Sequence, residues 1–221
     1  MAYAASHVVD PPRPVARTRT LRRLTSSLDA LVAANTDPHV IAARAGMLLR
    51  PALADNALLE ERHCEPAEDQ YRQHLVHVHP AGRYSIVALV WKPGQATPIH
   101  DHRCWCVVGV WRGLERETAY DLQGDAESAH LVERCSVVAE PGDVGVLVPP
   151  EEDIHRVENS GTTLAISIHV YGADISVLGS SINHTFDDET VRTRSSAQPI
   201  SWRTRDDDRR RVAPPPGRRS A

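Results

Sequence analysis

The chain has 221 residues, of which 41% are hydrophobic and 24% are charged, and its formal net charge at pH 7 is -4. This length suits one domain with extensions, and the small negative charge gives no reason to expect nucleic acid or an anionic membrane surface as a partner. Because no apolar run approaches the roughly 20 residues of a membrane helix and the 4 cysteines contain no C-x-x-C pair, we expect a cytoplasmic protein with free thiols that acts on a small molecule, as a monomer or a weak homo-oligomer.

Both ends of the chain are rich in proline and charge and poor in apolar residues. The first part contains "DPPRPVARTRT", and the last part contains "RTRDDDRRRVAPPPGRRSA". Segments of this composition cannot bury enough apolar surface to offset the entropy lost on folding. We therefore predict disordered tails over residues 1–18 and 190–221, with no role in the chemistry.

A helical segment is predicted over residues 19–62. In its first helix, apolar side chains recur at three- and four-residue spacing and so share one face. These side chains are Leu21, Leu24, Leu28, Leu31 and Val32. Asp37 is a suitable N-cap for a second helix, with Pro38 in the first turn, and this helix is predicted to end before Pro51. We expect both helices to pack on a sheet.

A second domain is predicted over residues 70–186, and from residue 71 to residue 171 the sequence changes to short runs of β-branched and aromatic residues, such as "YSIVALVW", "WCVVGVW" and "LAISIHVY". Turn clusters such as "KPGQ" and "AEPGD" separate these runs. Many short strands at regular spacing predict a β-sandwich or β-barrel. The predicted fold class is therefore mainly β, with the helical segment preceding the barrel.

A pair of histidines follows a Gly/Pro-rich turn in the segment "PGQATPIHDHRCWC". In a strand, residues i and i+2 point to the same face, so His100 and His102 would project into one space while Asp101 points away. Two imidazoles in this arrangement suit a single metal ion. Two histidines do not complete a site, so the remaining ligands have to come from elsewhere in the chain.

The segment "GQATPIHDHRCWCVVGVWRG" resembles the first motif of the cupin superfamily. The motif positions present are Gly94, His100, His102 and Gly113. Cys106 stands where most cupins place a ligating glutamate. The segment "PGDVGVLVPPEEDIHRVEN" resembles the second cupin motif, which implies a cupin barrel with His155 as the third ligand. Three neutral imidazoles leave a divalent ion its full charge and about three open coordination positions, and such ligands accept zinc, nickel and copper as well as iron.

Two segments, "TPIHDHRCWCVVGVWRG" and "AISIHVYGADI", also resemble the cysteine dioxygenase family of thiol dioxygenases, over about residues 71–175. The resemblance implies Fe(II) as the cofactor and a small thiol and O2 as the partners, with both oxygen atoms added to sulfur to give a sulfinate. It also implies a catalytic triad of Ser167, His169 and Tyr171. These three residues alternate along one predicted strand and so share a face.

The same resemblance implies roles for two further positions. Cys106 matches the cysteine that forms a thioether with the triad tyrosine in animal members, so it either cross-links to Tyr171 or fills space as a small buried thiol. Gln73 matches the substrate-binding position, where cysteine-oxidising enzymes have arginine and 3-mercaptopropionate-oxidising enzymes have glutamine. The glutamine-type enzymes also supply an arginine shortly after the tyrosine. This chain has no arginine there, so the partner of a substrate carboxylate stays unassigned.

Two other classes of protein compete with this interpretation. One is a different cupin enzyme, such as a ring-cleaving dioxygenase or an isomerase with another metal, but such enzymes usually retain the glutamate that is absent here. The other is a non-catalytic cupin that senses a small ligand, normally joined to a DNA-binding module, and the helices show no convincing recognition-helix pattern. We favour oxidation of L-cysteine or a related small thiol, with 3-mercaptopropionate as the alternative substrate.

Overall fold

The computed structural model describes residues 18–125, 128–151 and 153–192. The predicted tails lie outside these ranges, apart from residue 18 and residues 190–192. Among the helices within the described ranges, none combines the length and the apolar character that are needed to cross a membrane.

Two helices begin the described part of the chain, α1 over Arg19–Ala34 and α2 over Pro38–Ala52. The predicted end of α2 before Pro51 is wrong by two residues. The Leu53 N–H donates to the Leu49 carbonyl at 3.2 Å, so helical bonding continues past the proline. Proline removes one backbone donor, and in the last turn of a helix this loss is not enough to end the helix at once.

The strands of the described ranges follow the helices and form two sheets. They are β1 Arg72–Val78, β2 Ser85–Trp91, β3 Ile99–His102, β4 Cys106–Arg112, β5 Glu115–Gln123, β6 His130–Ala139, β7 Val144–Leu147, β8 His155–Asn159, β9 Ala165–Tyr171, β10 Ile182–Phe186 and β11 Val191–Arg192. The short helices are α3 Ile175–Leu178 and two 3-10 turns at Glu61–Cys64 and Asp188–Thr190.

The first sheet has the strand order β1-β2-β9-β4-β7, and the second has the order β10-β3-β8-β5-β6-β11. Neighbouring strands pair antiparallel, apart from β11, which runs parallel to β6. Val87 and Leu89 of the first sheet share an apolar cluster with Val157 of the second, so the two sheets enclose a common interior. The predicted fold class, a mainly β cupin barrel with a helical segment before it, is confirmed.

Strands β2 and β9 are buried at every position, although an antiparallel sheet commonly exposes one face to water. On β2, Ile86 and Val90 point outward and pack in one cluster with the apolar faces of α1 and α2. Val87 and Leu89 alternate with them and point inward. The helices therefore cover the outer face of the first sheet, and the inner face is left to line the barrel interior.

Candidate metal centre

Two neighbouring strands bring three histidines together inside the barrel. His100 and His102 lie two positions apart on β3, and His155 begins β8 directly opposite His100 in the antiparallel pair. The ring centroids are 4.8, 4.7 and 4.9 Å apart for the three pairs, and one nitrogen from each ring lies within 4.8 Å of the others. All three side chains are buried. The predicted ligands thus form one compact cluster.

Each imidazole of the cluster is held through its Nδ1 atom. The Nδ1 atoms of His102 and His155 lie 2.7 Å from an Asp153 oxygen and 2.6 Å from a Glu117 oxygen, and that of His100 lies 3.0 Å from the carbonyl oxygen of Pro98. Carboxylate and carbonyl oxygens accept hydrogen bonds, so Nδ1 carries the hydrogen and Nε2 keeps its lone pair. Oxygen partners of this kind orient metal-binding histidines.

The donor set fits a divalent metal ion. The Nε2 atom of His155 is buried and has no hydrogen-bond partner among the described residues. Burial lowers the pKa of His100 well below its usual value, and the neighbouring rings of His155 and His102 lower it further. Burial also lowers the pKa of His102, although its hydrogen bond to Asp153 partly offsets this. Both rings are therefore neutral at pH 7, the state in which imidazole binds a metal.

Ser167, His169 and Tyr171 form a hydrogen-bonded chain along the inner face of β9. The Ser167 hydroxyl lies 3.0 Å from His169 Nε2, and the Tyr171 hydroxyl lies 3.1 Å from His169 Nδ1. Trp91 Nε1–H donates to the Ser167 oxygen at 3.2 Å. Burial lowers the pKa of His169 to about 3 and raises the pKa of Tyr171 well above its usual value. A neutral imidazole thus holds a protonated phenol.

Cys106 lies directly opposite Tyr171 in the pairing of β4 with β9. Its side chain is fully buried, and its sulfur lies 3.8 Å from His169 Nδ1, the same nitrogen that bonds the phenol. Burial raises the pKa of the thiol well above its usual value. Cys106 is therefore a buried thiol beside the phenol, and it lies outside the group of three histidines whose nitrogens cluster within 4.8 Å.

A cavity of about 360 Å³, counting its open mouth, joins the histidine cluster to the phenol. Six of the predicted site residues line it: Gln73, His100, His102, His155, His169 and Tyr171. Ser167 and Cys106 are not in the lining and lie behind it. The rest of the wall is mostly apolar and includes Tyr71 stacked on Trp91, with ring centroids 4.4 Å apart. The metal ligands and the phenol thus open onto one small, partly enclosed space.

Four polar residues around the site were not predicted from the sequence: Glu115, Glu117, Asp153 and Ser181. Glu115 and Glu117 alternate along β5 and are both buried, so the pair of inward acids in "RGLERETAYD" is a signal that was available. Burial raises the pKa of Glu115 to about 8, and Ser167 and Trp91 partly offset this rise. Ser181 bonds the Tyr171 hydroxyl and partly offsets the effect of burial on that pKa.

Solved structures similar to the chain include a double-stranded β-helix protein from Klebsiella pneumoniae, with 17% identity, a TM-score of 0.42 and coverage of 60% of this chain and 100% of that chain. A cupin superfamily protein from Desulfitobacterium hafniense has 13% identity, a TM-score of 0.36 and coverage of 50% and 84%. A variant of the oxalate decarboxylase from Bacillus subtilis has 17% identity, a TM-score of 0.41 and coverage of 53% and 29%.

The comparison with protein families gives one match that spans most of the chain. Residues 15–179 match the profile described as cysteine dioxygenase type I. The matched range contains the three clustered histidines, the hydrogen-bonded chain on β9 and the two helices that cover the barrel. The protein therefore belongs to the cysteine dioxygenase type I family.

Proposed function

We propose that the protein is a non-haem Fe(II) thiol dioxygenase that oxidises L-cysteine or a related small thiol with O2 to the sulfinic acid. The observation that carries the proposal is the cavity that places three clustered imidazoles and a protonated phenol around one space. The reaction adds both atoms of O2 to the sulfur of RSH to give RSO2H, so atoms and electrons balance without a further reductant. 3-Mercaptopropionate is the alternative substrate within the same family.

Three histidines and their hydrogen-bond partners would hold the metal ion. His100, His102 and His155 would hold the ion through Nε2, and Asp153 and Glu117 keep two of the rings in the tautomer that this requires. Bound Fe(II) would supply positions for the thiolate and for O2 and would exchange electrons with both. Three neutral ligands leave those positions open on one side.

The phenol of Tyr171 is the proton donor that faces the cavity. Its raised pKa keeps the proton on the oxygen at neutral pH, and His169 fixes its direction through Nδ1. Ser167 bonds Nε2 of the same ring and so sets which nitrogen carries the hydrogen. General acids positioned in this way commonly contribute about 10²–10⁴-fold to a rate.

The test is anaerobic reconstitution with Fe(II), followed by O2 uptake and sulfinate detection with cysteine, 3-mercaptopropionate and cysteamine in parallel. We expect uptake matched by sulfinate for at least one thiol. Tyr171→Phe keeps the ring and removes the proton, so kcat should fall by about 10²-fold at unchanged iron content. Tyr120 lies outside the cavity, so Tyr120→Phe serves as the control. Iron binding with no uptake for any thiol would reject the proposed function.

Cys106 is predicted to form a thioether with Tyr171 in active enzyme, because the two residues face each other across the β4–β9 pair. Bond formation between the sulfur and the ring carbon beside the hydroxyl breaks one S–H and one C–H bond, and the two electrons and two protons pass to O2. A tryptic peptide pair that is joined and two hydrogens lighter would show the link. Cys106→Ser should abolish it and Cys104→Ser should retain it. An unmodified Tyr171 peptide from active enzyme would contradict the prediction.

A further inference from the structure

Glu115 is a buried carboxyl group close to Ser167, the end of the hydrogen-bonded chain on β9 that lies behind the cavity. We infer that Glu115 is a positioning residue whose carboxyl O–H donates to the Ser167 oxygen. Through this bond it sets the direction of the hydrogen bonds between Ser167, His169 and Tyr171. The inference rests on the proposed thiol dioxygenase function, in which the Tyr171 phenol supplies a proton to the cavity.

A tight turn between β4 and β5 brings Glu115 to the chain on β9. Gly113 has a φ of +76°, and a Cβ atom there would lie 2.6 Å from the Cα atom of Ala165, the first residue of β9. The start of β5 in the second sheet therefore lies against the start of β9 in the first sheet. Ser167 follows two positions after Ala165, so the carboxyl group at the start of β5 reaches the first member of the chain.

The Glu115 carboxyl group is 2% exposed, and neither of its oxygens has a hydrogen bond of ordinary geometry within the described ranges. Burial raises its pKa to about 8, although Ser167 and Trp91 partly offset this rise. The group is therefore mostly protonated at pH 7, and a buried O–H of this kind requires an acceptor. Trp91 Nε1 is a donor only, so the Ser167 oxygen is the acceptor of this pair.

The groups that face Glu115 differ in whether they carry a charge. Glu117, two positions along β5, is a charged group that acts on Glu115, and it raises the same pKa. β2, β9 and β8 contribute Trp91, Ser167 and Asn159, which lies opposite Glu115 in the strand pair. None of these three side chains ionises near neutral pH. A rise in pH past neutrality therefore reaches Ser167 through the ionisation of Glu115.

The bonds of Ser167 leave one place for the carboxyl donor. Its hydroxyl has one hydrogen and two acceptor sites, and Trp91 Nε1–H occupies one acceptor site at 3.2 Å. With the Glu115 O–H on the other site, the hydroxyl hydrogen points at His169 Nε2, 3.0 Å away. The imidazole then carries its own hydrogen on Nδ1 and donates it to the Tyr171 oxygen at 3.1 Å. The phenol hydrogen is left to point into the cavity.

Loss of the Glu115 proton reverses the direction of these bonds. A carboxylate accepts hydrogen bonds, so Ser167 would donate to it and accept from His169 Nε2–H. The Nδ1 atom would then keep its lone pair and accept the phenol O–H of Tyr171, which turns that proton away from the cavity. Burial lowers the pKa of His169 to about 3, so the ring is neutral in both arrangements. They differ in which ring nitrogen carries the hydrogen.

Nitrogen-15 NMR of the histidine rings distinguishes the two arrangements without turnover. The full chain is labelled at histidine and loaded with Zn(II), which is diamagnetic, and the His169 signals are identified by their loss in His169→Asn. In the unaltered protein we expect the His169 hydrogen on Nδ1 at pH 6 and on Nε2 at pH 9. Glu115→Gln keeps an N–H donor and cannot ionise, so its His169 should carry the hydrogen on Nδ1 at both pH values. A hydrogen that stays on one nitrogen in the unaltered protein would overturn the inference.

Turnover of the iron-loaded enzyme at saturating thiol provides a second measurement. Glu115→Leu removes the donor, so kcat at pH 7 should fall by at least about tenfold, part of the about 10²–10⁴-fold that a general acid contributes. KM and iron content should not change. Glu115→Gln should restore kcat at pH 7 and lose less of it between pH 7 and pH 9 than the unaltered protein does.

Val32→Ala is the control for a general loss of stability, because Val32 is a buried residue of α1 in the helical cover. Its kcat should depend on pH as that of the unaltered protein does. If Glu115→Leu does not fold, the comparison of Glu115→Gln with the unaltered protein still tests the inference by both measurements.

The outcomes separate the inference from the function on which it rests. If Glu115→Leu and the unaltered protein turn over equally fast and the His169 hydrogen does not move with pH, the positioning role is wrong and the thiol dioxygenase stands. If no thiol drives O2 uptake, the proposed function fails. In that case the NMR comparison still decides whether Glu115 sets the direction of the chain.

Discussion

Glu115 is a fully buried carboxyl group whose two oxygens have no hydrogen-bond partner among the described residues. Its pKa rises from 4.5 to about 8 on burial. At a pH between these two values, the Glu115 carboxyl group has lost its proton in the unfolded chain but keeps it in the folded protein. The free energy of unfolding should therefore fall as pH rises through this window, by up to about 1.4 kcal/mol for each pH unit. This stabilising contribution is complete below pH 4.5 and lost above pH 8.

Glu115→Gln removes this dependence while keeping the shape of the side chain. Urea unfolding at pH 5 and pH 8 should show a smaller loss of stability in the variant than in the unaltered protein. Glu140→Gln, at an exposed position, should behave as the unaltered protein does. Equal pH slopes for the unaltered protein and the Glu115→Gln variant would show that Glu115 is ionised in the folded state.

Asp153 holds His102 through both of its carboxylate oxygens, accepting from the backbone N–H at 2.7 Å and from Nδ1–H at 2.7 Å. Asp153→Asn loses the charge and one of the two acceptors, so we expect divalent metal to bind about 10–100-fold more weakly. Competition with a chelator of known affinity measures this change. Asp101→Asn is the control, because Asp101 accepts from His184 N–H and points away from the cavity. Unchanged affinity in Asp153→Asn would contradict the assigned role.

Single residues differ in how far the sequence could predict them. His100 and His102 were predictable because the alternation of side chains along a strand is a local property. Asp153 and Glu117 lie 51 and 38 residues from the histidines that they hold. No local pattern records which carboxylate meets which ring, because that depends on how β8 pairs with β3 and with β5.

At the scale of elements, the end of β9 packs tightly against the connection between β3 and β4. A Cβ atom on Gly172 would lie 2.3 Å from Trp105 Nε1 and 2.5 Å from Trp105 Cδ1, and the rigid indole cannot yield as a flexible chain end does. Gly172→Ala should therefore lower the free energy of unfolding by about 1–3 kcal/mol. Gly161→Ala is the matched control, since its nearest contact would be an ordinary 3.4 Å. Equal urea midpoints for the two variants would refute the tight contact.

The strand pattern explains which elements the sequence predicts. β2 is apolar at nearly every position, and β9 is apolar along its outer face, because the helices cover that face of the sheet. Such runs are readily recognised as strands. No strand was predicted after Tyr171, yet β10 pairs with β3 and places Ile182 opposite His102. The segment "INHTF" is largely exposed and lacks clear alternation, so its extended form depends on the partner strand.

For the whole molecule, a metal that binds only the folded state should stabilise the protein. At a free metal concentration of 100 times Kd the expected gain is about 2.7 kcal/mol. Thermal unfolding under anaerobic conditions should show a higher Tm with Fe(II), and a chelator should reverse the change. His100→Ala should remove the response, because it deletes one of the three clustered nitrogens. A Tm that does not respond to metal in the unaltered protein would argue against a site built from this cluster.

The two-sided burial of β2 and β9 has a consequence for how this sequence tolerates change over evolution. The outer side chains of β2 pack against the helices, and these are Ile86, Ala88 and Val90. The inner side chains, Val87 and Leu89, pack in the barrel interior. Nearly every substitution in these strands therefore disturbs one packing layer or the other. Neutral drift should instead accumulate where side chains are exposed, as along β10. Distant relatives that share this fold should consequently differ most at the rim of the barrel and least along its central strands.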